Sequence, residues 1–225
     1  MKVVTTLSGG LDSVTLSHEL ASDGHDVIAL SFHYGQRHAK ELESAARCAE
    51  DLGAEHHVVD LRSVGALLAG SALTDPAVEV PEGHYTDESM AATVVPNRNA
   101  IMLSVAVGVA VARGAGAVAT AVHAGDHAIY PDCRPAFIEA IEHEAQVANE
   151  GFIADGFRVL APFLHLSKDE IVRRGAALAV PFEETWSCYL GGELHCGRCG
   201  TCVERREAFE LAGVDDPTSY ATVPV

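Results

Sequence analysis

The residues of this chain best suited to chemistry form the stretch Ser8-Gly9-Gly10-Leu11-Asp12-Ser13 near its beginning. An apolar, β-branched run at residues 3–7 precedes it and predicts a buried parallel strand. Apolar residues at helical spacing follow it and predict a helix packed on a sheet. A glycine-rich turn between strand and helix lets free N–H groups of the helix N-terminus face an anion, and the serines add hydroxyl donors. The sequence therefore predicts a phosphate-binding turn here.

The acidic residue of this turn, Asp12, separates it from a Walker A loop, which needs a lysine before its Ser or Thr. An acid beside phosphates is favourable if Mg²⁺ lies between them. With Asp12 in that place, the six residues resemble the pyrophosphate loop of the ATP pyrophosphatase superfamily. The resemblance implies that ATP is cleaved between its α- and β-phosphates and that a carbonyl oxygen is adenylated. The alternative is a Ser/Gly turn that only caps a helix.

The composition indicates one domain, or one domain with an appendage, because the chain has 225 residues of which 48% are hydrophobic. We predict a first part at residues 1–180 and a C-terminal part at residues 181–225. The formal net charge of −17 repels polyanions, so nucleic acid is not an expected partner. The N-terminus shows no signal segment, and Arg113 interrupts the most apolar region, residues 100–122. We therefore expect a cytoplasmic protein that does not enter a membrane.

Predicted strands alternate with predicted helices along the chain. After the first strand, a second buried strand is expected at residues 27–32, and further strands are expected at residues 56–61, 117–122 and 157–160. This order predicts a doubly wound α/β fold with a mostly parallel sheet. Ligands bind such sheets beyond the carboxyl ends of the strands, so residues 33–38 are predicted to contact the nucleotide, with Phe32 beside the adenine. Residues 73–95, which carry Asp87 and Glu88, have no clear period and are expected to form a flap near the site.

Two cations lie at predicted helix starts. Arg98 precedes a helix at residues 100–112 that is predicted to be buried on all sides, and its N-terminus is a second anion-binding point. The alternative for Arg98 is a surface salt bridge. Lys168 follows Ser167, the N-cap of a capping box that Glu170 completes. A cation is electrostatically unfavourable at a helix start, so the charge of Lys168 is predicted to face phosphate.

Two opposite charges, Asp132 and Arg134, flank Cys133 just before a helix that Pro135 is predicted to begin. The carboxylate of Asp132 is suited to accept hydrogen bonds from an amino-pyrimidinone edge, and the guanidinium of Arg134 is suited to hold a carboxylate bidentately. We predict that both bind substrate. The alternative is that they pair with each other and cap the helix. No catalytic role is assigned to Cys133, because nothing indicates a lowered thiol pKa.

Four of the six cysteines lie within fifteen positions: Cys188, Cys196, Cys199 and Cys202. A disulfide framework is not expected in a cytoplasmic chain, whereas Cys-x₂-Cys-x₂-Cys with one further cysteine is metal-ligand spacing. One structural zinc ion bound by four thiolates is the favoured interpretation, with an iron–sulfur cluster or unmetallated thiols as alternatives. His195 is expected to be exposed rather than a ligand. The metal would stabilise a lobe that has few apolar residues to bury.

Six short motifs occur together in this chain. They are Ser-Gly-Gly-Leu-Asp-Ser at 8–13, Phe-His-Tyr-Gly-Gln at 32–36, Pro-Asn-Arg-Asn at 96–99, Tyr-Pro-Asp-Cys-Arg-Pro at 130–135, Thr-Trp-Ser-Cys-Tyr at 185–189 and the three-cysteine run at 196–202. In this order and spacing, the chain is similar to the 7-cyano-7-deazaguanine synthase (QueC) family over essentially its whole length. Asn97 departs from the pattern, because many members of the family have glycine there.

The resemblance implies an adenine nucleotide alpha hydrolase-like fold and a ligase that forms carbon–nitrogen bonds. Its substrates would be ATP with Mg²⁺, 7-carboxy-7-deazaguanine and ammonia, and an adenylated acid and an amide would lead to the nitrile used in queuosine or archaeosine synthesis. It also implies a homodimer and the four cysteines named above as zinc ligands. The implied ATP contacts are eleven consecutive residues: Leu7, Ser8, Gly9, Gly10, Leu11, Asp12, Ser13, Val14, Thr15, Leu16 and Ser17.

Two other functions compete with this one. A tRNA thiolase of the same superfamily would use cysteines for sulfur transfer or for a cluster, but the strong negative charge and the lack of an RNA-binding extension disfavour it. A non-catalytic nucleotide-binding zinc module would bind ATP without releasing pyrophosphate. Metal analysis and a pyrophosphate assay separate the three.

Overall fold

The computed structural model describes residues 1–68, 70–84, 86, 90–128 and 130–221. Within these residues, five strands form one sheet in the order β3-β2-β1-β4-β5, and the strand pairings of this sheet are all parallel. The strands are β1 (Lys2–Thr6), β2 (Asp26–His33), β3 (Glu55–Asp60), β4 (Ala117–Ala119) and β5 (Arg158–Leu160).

Helices connect the strands and cover the sheet. In the described part of the chain they are α1 (Leu11–Ser22), α2 (Glu41–Asp51), α3 (Arg62–Gly65), α4 (Arg98–Arg113), α5 (Pro135–Ala148), α6 (Lys168–Ala177) and α7 (Gly200–Ala212). Short 3₁₀ turns occur at Ala124–Ala128, Pro131–Cys133 and Phe182–Glu184. Of the described residues, none belongs to a helix long and apolar enough to span a bilayer.

The sheet has helices on both faces because side chains alternate along each strand. Val3 of β1 joins the core formed with α1, α2, α6 and α7, and its neighbour Val4 joins the core formed with α4 and α5. Both valines are fully buried, as near-continuous apolar strands of a parallel sheet require. The predicted doubly wound α/β fold is therefore confirmed.

The central strand β1 is also the point where the strand order reverses. The chain builds β2 and β3 on one side of β1 and then crosses over to build β4 and β5 on the other side. Loops that follow β1 and β4 consequently diverge to opposite faces and leave a crevice at the carboxyl ends of these strands, where ligands bind in open α/β sheets.

Two details differ from the sequence-based expectations. The helix α4 is buried along one side only, by Leu103, Ala106, Val107 and Ala110, while Ser104 and Gly108 are exposed, so the expectation of burial on all sides is wrong. The sequence after Cys202 predicts a short last helix at residues 205–211, whereas the structure has this helix at Gly200–Ala212.

The segment predicted to be a flap is described only in part, and Asp87 and Glu88 lie outside the described residues. Its described residue Val80 packs in a small apolar cluster with Trp186 and the four clustered cysteines. The backbone of Glu82 pairs with that of Cys199 in an isolated antiparallel β-bridge. This part of the segment therefore lies on the cysteine lobe, and its function as a flap stays a prediction.

The C-terminal helix α7 contributes to the main core as well as to the cysteine lobe. Its residues Ala208 and Phe209 belong to the same apolar cluster as Leu11 and Leu16 of α1. Residues on both sides of position 180 thus share one core, and a domain boundary there stays a prediction.

The guanidinium of Arg205, on α7, is fully buried and ties together three segments of the chain. Its N–H groups donate to the Phe182 carbonyl and to the hydroxyls of Thr185 and Thr218 at 2.7–2.8 Å, and Asp216 lies 3.7 Å away. A buried guanidinium is stable only when its donors are satisfied, as they are here.

We expect Arg205→Leu to lower the free energy of unfolding by about 3–5 kcal/mol, because it leaves Asp216 without its partner and several buried acceptors unpaired. Urea unfolding followed by circular dichroism measures this change. The matched control is Arg62→Leu, which removes an exposed pair with Asp60 and should change stability little. Equal effects of the two variants would contradict the structural role of Arg205.

Candidate active site

A cavity of about 260 Å³ opens at the carboxyl ends of β1, β2 and β4. Its walls come from segments that follow these strands and from the N-termini of α1, α2, α4 and α6, with the segment around Trp186 closing one side. The predicted phosphate-binding turn, Arg98 and Lys168 all line this one cavity. Helix N-termini and two cations directed at one space make it suited to an anionic ligand.

The turn at residues 8–13 is fixed by its own serines. The Ser13 hydroxyl donates to the Gly10 carbonyl at 3.1 Å and lies 3.2 Å from the Ser8 N–H, while the Ser8 hydroxyl accepts from the Gly10 N–H. Gly9 has φ of +87° and lies against the Glu41 carbonyl and the Ala45 N–H of α2, so no larger residue fits there. The turn is therefore preorganised before a ligand binds.

The eleven residues predicted to contact ATP divide into two groups in the structure. Those that line the cavity are Leu7, Ser8, Gly10, Leu11, Asp12 and Ser13. Gly9 packs against α2, and residues 14–17 are buried within α1. The second group supports the turn from behind.

The carboxylate of Asp12 lies at the start of α1 and faces a cation. Its Oδ2 atom is 3.3 Å from Lys168 Nζ and 3.9 Å from His123 Nε2. Burial opposes ionisation of Asp12, but attraction by Lys168 and His123 outweighs it, so the pKa of the carboxyl is lowered. The other oxygen, Oδ1, is buried and has no hydrogen-bond partner among the described residues. An anionic oxygen without a partner beside a phosphate-binding turn fits a Mg²⁺ ligand.

Lys168 joins α6 to two other helices at the cavity wall. Its ammonium lies 2.9 Å from Glu204 of α7 in addition to its contact with Asp12 of α1. Burial disfavours the charged ammonium, but these carboxylates overcome that cost and raise the pKa of Lys168. The predicted capping box behind it is present, since the Ser167 N–H donates to Glu170 Oε2 at 2.8 Å.

Arg98 and three tyrosines form a second part of the cavity wall. The Arg98 guanidinium donates to the Tyr34 hydroxyl at 3.4 Å and lies over the Tyr34 ring, and Tyr130 and Tyr189 complete the wall. Burial opposes the charge of Arg98, but the tyrosine hydroxyls offset this, and its pKa is raised. In the described chain it has no salt bridge within 4 Å, so its charge is available to an anionic ligand of the cavity.

The start of α4 depends on Asn97 and Asn99. Asn97 adopts the left-handed conformation, with φ of 58° and ψ of 19°, which glycine and asparagine tolerate best. The departure from glycine at this position is therefore compatible with the same backbone. Asn99 donates its backbone N–H to Asp132 Oδ2 at 3.1 Å and its side-chain amide to the Asp132 carbonyl and to Cys133 Sγ.

The structure does not bring Asp132 and Arg134 into the cavity. Asp132 caps α4 through Asn99, and Arg134 is exposed and donates to the carbonyls of His127 and Ala128. They also do not pair with each other, because each is satisfied by a different segment. Their predicted contacts with substrate have no support in this geometry, whereas Arg98 and Lys168 do line the cavity.

Two acids of the site were missed in the sequence: Glu41, which lines the cavity, and Glu204, which pairs with Lys168 of the cavity wall. Glu41 lies at the first turn of α2, where its carboxylate accepts a hydrogen bond from Gln36 Nε2 at 2.9 Å. Glu204 lies two residues after Cys202 on α7. Both follow a recognised motif within five residues, so a search for acids just beyond the motifs would have found them.

Four cysteines form a compact cluster beside the cavity. The sulfur atoms of Cys188, Cys196, Cys199 and Cys202 lie within 4.8 Å of one another, and all four residues are buried. Backbone N–H groups support them, since Arg198 and Cys199 donate to Cys196 Sγ at 3.4 and 3.2 Å. Four convergent thiols with N–H groups directed at sulfur fit the predicted zinc site.

The segment that carries Cys188 connects the cysteine cluster to the phosphate-binding turn. The backbone N–H of Trp186 donates to the Gly9 carbonyl at 2.9 Å. The indole ring of Trp186 packs on the His195 ring, with 4.3 Å between the ring centroids. His195 is buried, and its Nε2 atom accepts a hydrogen bond from the Ser187 N–H. The expectation that His195 is exposed is therefore wrong, because it supports this connection.

Comparison with known proteins gives concordant matches. The family model described as "Queuosine biosynthesis protein QueC" matches residues 2–213. Over 220 residues the chain is 59% identical to 7-cyano-7-deazaguanine synthase of Rhizobium etli and 60% identical to that of Paracoccus denitrificans; these alignments cover 98% of this chain and 92% and 93% of the relatives. An NMN synthetase structure from Francisella tularensis matches with a TM-score of 0.52 at 15% identity, over 95% of this chain and 77% of that one, and agrees with the predicted fold.

We expect the purified protein to contain one zinc ion per chain and Cys199→Ser to lose it, together with a lower melting temperature, because three sulfurs hold zinc poorly. Elemental analysis and thermal unfolding measure the two effects. Cys48→Ser is the matched control, since Cys48 is buried in the main core away from the cluster. Iron with sulfide in place of zinc, or a stable metal-free Cys199→Ser variant, would contradict this assignment.

Proposed function

The chain belongs to the QueC family, and we propose that its cavity uses ATP to convert 7-carboxy-7-deazaguanine and ammonia into 7-cyano-7-deazaguanine. It is a 7-cyano-7-deazaguanine synthase by family, a ligase of queuosine biosynthesis. The observation that carries the detailed proposal is that a phosphate-binding turn lines the same cavity as the Arg98 guanidinium, which has no salt bridge among the described residues.

ATP is proposed to bind with its β- and γ-phosphates on the turn at residues 8–13. The N–H groups at the start of α1 and the Ser8 hydroxyl supply donors, and Lys168 supplies a positive charge. Asp12 is the residue suited to hold Mg²⁺, because one of its oxygens is free for a cation. Mg²⁺ bound there would spread the negative charge of the leaving pyrophosphate.

The deazaguanine acid is proposed to bind at the part of the wall formed by Arg98 and the three tyrosines. Arg98 can neutralise its carboxylate through charge-assisted hydrogen bonds, and the rings of Tyr34, Tyr130 and Tyr189 offer apolar surface to the flat base. The carboxylate must be neutralised before it approaches an anionic phosphate. Arg98 is better placed for this than Arg134, which lies outside the cavity.

With both substrates bound in this way, the carboxylate of the acid is proposed to lie close to the α-phosphate of ATP, and the reaction proceeds in two adenylation steps. A carboxylate oxygen attacks the α-phosphorus of ATP, the bond to the β-phosphate oxygen breaks, and pyrophosphate stays on the turn. Ammonia displaces AMP and gives the amide. A second ATP adenylates the amide oxygen, and loss of AMP gives the nitrile. Both adenylations use the same turn and the same cation at Arg98.

The cysteine cluster is proposed to act structurally. Its four sulfurs converge on one another and are buried, so they are arranged as a complete ligand set rather than as a pair for sulfur transfer. This arrangement favours the synthase over a tRNA thiolase of the same superfamily. A homodimer, which the family resemblance implies, stays a prediction.

The proposed function is tested by incubating the protein with ATP, Mg²⁺, ammonium and 7-carboxy-7-deazaguanine. We expect pyrophosphate release that depends on the acid, and Asp12→Ala should reduce it at least a hundredfold while the fold is kept, because the Mg²⁺ ligand is lost. The control is Asp23→Ala, an exposed acid at the end of the same helix. Undiminished release by Asp12→Ala would refute the role of the turn, and acid-independent release would refute the reaction.

The role of Arg98 is tested by comparing Arg98→Gln with Arg134→Gln. We expect Arg98→Gln to raise KM for the acid about tenfold to a hundredfold, since charge-assisted hydrogen bonds contribute about 1.5–3 kcal/mol, and to change KM for ATP much less. Arg134→Gln should change neither constant. The reverse pattern, with the acid's KM raised only by Arg134→Gln, would restore the sequence-based assignment and refute this one.

A further inference from the structure

The carboxyl group of Glu41 lines the cavity but has no part in binding phosphate or the acid as described above. Its side chain is only 12% exposed. The residue lies at the start of α2, and its backbone carbonyl packs against Gly9 of the phosphate-binding turn. Glu41 is therefore held in the cavity wall next to the phosphate-binding turn.

The chemistry of the cavity requires a proton acceptor. When ammonia adds to the adenylated acid, the nitrogen carries a positive charge and must lose a proton before the amide forms. When the adenylated amide becomes a nitrile, the nitrogen loses its remaining proton as the carbon–oxygen bond to AMP breaks. Neither Arg98 nor Lys168 can accept these protons, because both are held in their charged forms.

We propose that Glu41 is the general base that removes protons from the nitrogen in amide and nitrile formation. This inference rests on the proposed function of the same cavity. In the first step, the nitrogen of the ammonia adduct transfers a proton to the Glu41 carboxylate, the carbonyl re-forms and AMP leaves. In the last step, the carboxylate takes the imidate N–H proton, the electron pair completes the triple bond, and AMP leaves again. The carboxyl returns each proton to water of the open cavity.

The surroundings of Glu41 place its titration near neutral pH. Burial raises the pKa of its carboxyl to about 7, while the hydrogen bond from Gln36 and the charge of Arg98 partly oppose this shift. The other groups facing it are Tyr34, whose pKa is itself raised by burial, and His38. A base with a pKa near the working pH is the most effective proton acceptor.

His38 and Gln36 orient the carboxyl group. The His38 Nε2 atom lies 3.4 Å from Glu41 Oε2, and burial together with the charge of Arg98 lowers the pKa of His38 to about 3, so its ring is neutral. Gln36 donates to Glu41 Oε1 and is anchored at the Phe32 carbonyl and the Tyr34 N–H. A neutral imidazole and an anchored amide hold the Glu41 carboxyl in place whether it is ionised or protonated. A general base needs this, because it alternates between these two protonation states.

The test separates adenylation from the steps that consume ammonia. Acid-dependent exchange of labelled pyrophosphate into ATP, measured without ammonia, reports adenylation alone. We expect Glu41→Gln to keep this exchange within about threefold of the unmodified enzyme and to keep its melting temperature. Formation of amide and nitrile, followed by mass spectrometry, should fall about a hundredfold to ten-thousandfold, the range typical of general-base catalysis. Glu41→Asp should retain part of the activity.

The pH profile adds a readout that a structural role would not move. The base must be ionised, so product formation by the unmodified enzyme should decline as pH falls through about 7. Glu41→Gln should lack this decline, and dividing the two profiles cancels the titration of ammonia itself. The matched control is Glu43→Gln, an exposed acid on the same helix, which should behave as the unmodified enzyme.

The possible outcomes distinguish failure of the proposed function from failure of the role proposed for Glu41. If the unmodified enzyme shows no acid-dependent exchange, the proposed function fails. If it shows exchange and Glu41→Gln makes nitrile at a normal rate with an unchanged pH profile, the function stands and the role of Glu41 is wrong. Loss of exchange in Glu41→Gln would assign this residue to adenylation or to structure and would equally contradict the proposal.

Discussion

The ion pair between Asp12 and Lys168 is the interaction on which the rest of the site depends. It joins the start of α1 to the start of α6, and Glu204 extends it to α7. Without Lys168, burial would favour a neutral Asp12, and a neutral carboxyl is a poor ligand for a divalent cation. The same contact holds a positive charge beside the place proposed for pyrophosphate. One ion pair thus fixes both the geometry and the charge of the phosphate-binding end of the cavity.

The cysteine lobe supports this arrangement from the other side. Glu204 lies on the helix that begins between two of the cysteines, so the cysteine cluster determines where this acid meets Lys168. The segment containing Trp186 runs from the buried Arg205 network to the Gly9 carbonyl. A lobe with so small a core of its own needs a metal or a shared core to be stable, and here it has both a four-sulfur cluster and Phe209 in the main core. A zinc ion bound by these cysteines would act on catalysis only by fixing the position of this lobe.

Sequence patterns predicted those parts of the protein in which the interacting residues lie close together in the sequence. The strand–turn–helix around Asp12, the capping box at Ser167 and the cysteine spacing each depend on residues close in sequence. The placement of Arg134 could not be predicted in this way, because it depends on which carbonyls of residues 127–128 come within reach. Burial of His195 likewise depends on Trp186 and Tyr220, whose rings pack against the imidazole from different segments of the chain. Glu41 was missed because its significance arises only when α2 packs against the turn.

The most direct test of the account follows the oxygen atoms of the acid. If both adenylations occur in this cavity, the two carboxylate oxygens leave separately, one in the first AMP molecule and the other in the second. 7-Carboxy-7-deazaguanine labelled with ¹⁸O at both carboxylate oxygens should therefore give two AMP molecules per nitrile, each with one ¹⁸O on phosphorus, detected by mass spectrometry. Label found in inorganic phosphate, or AMP without label, would show that the acid does not attack the α-phosphorus and would contradict the proposed mechanism.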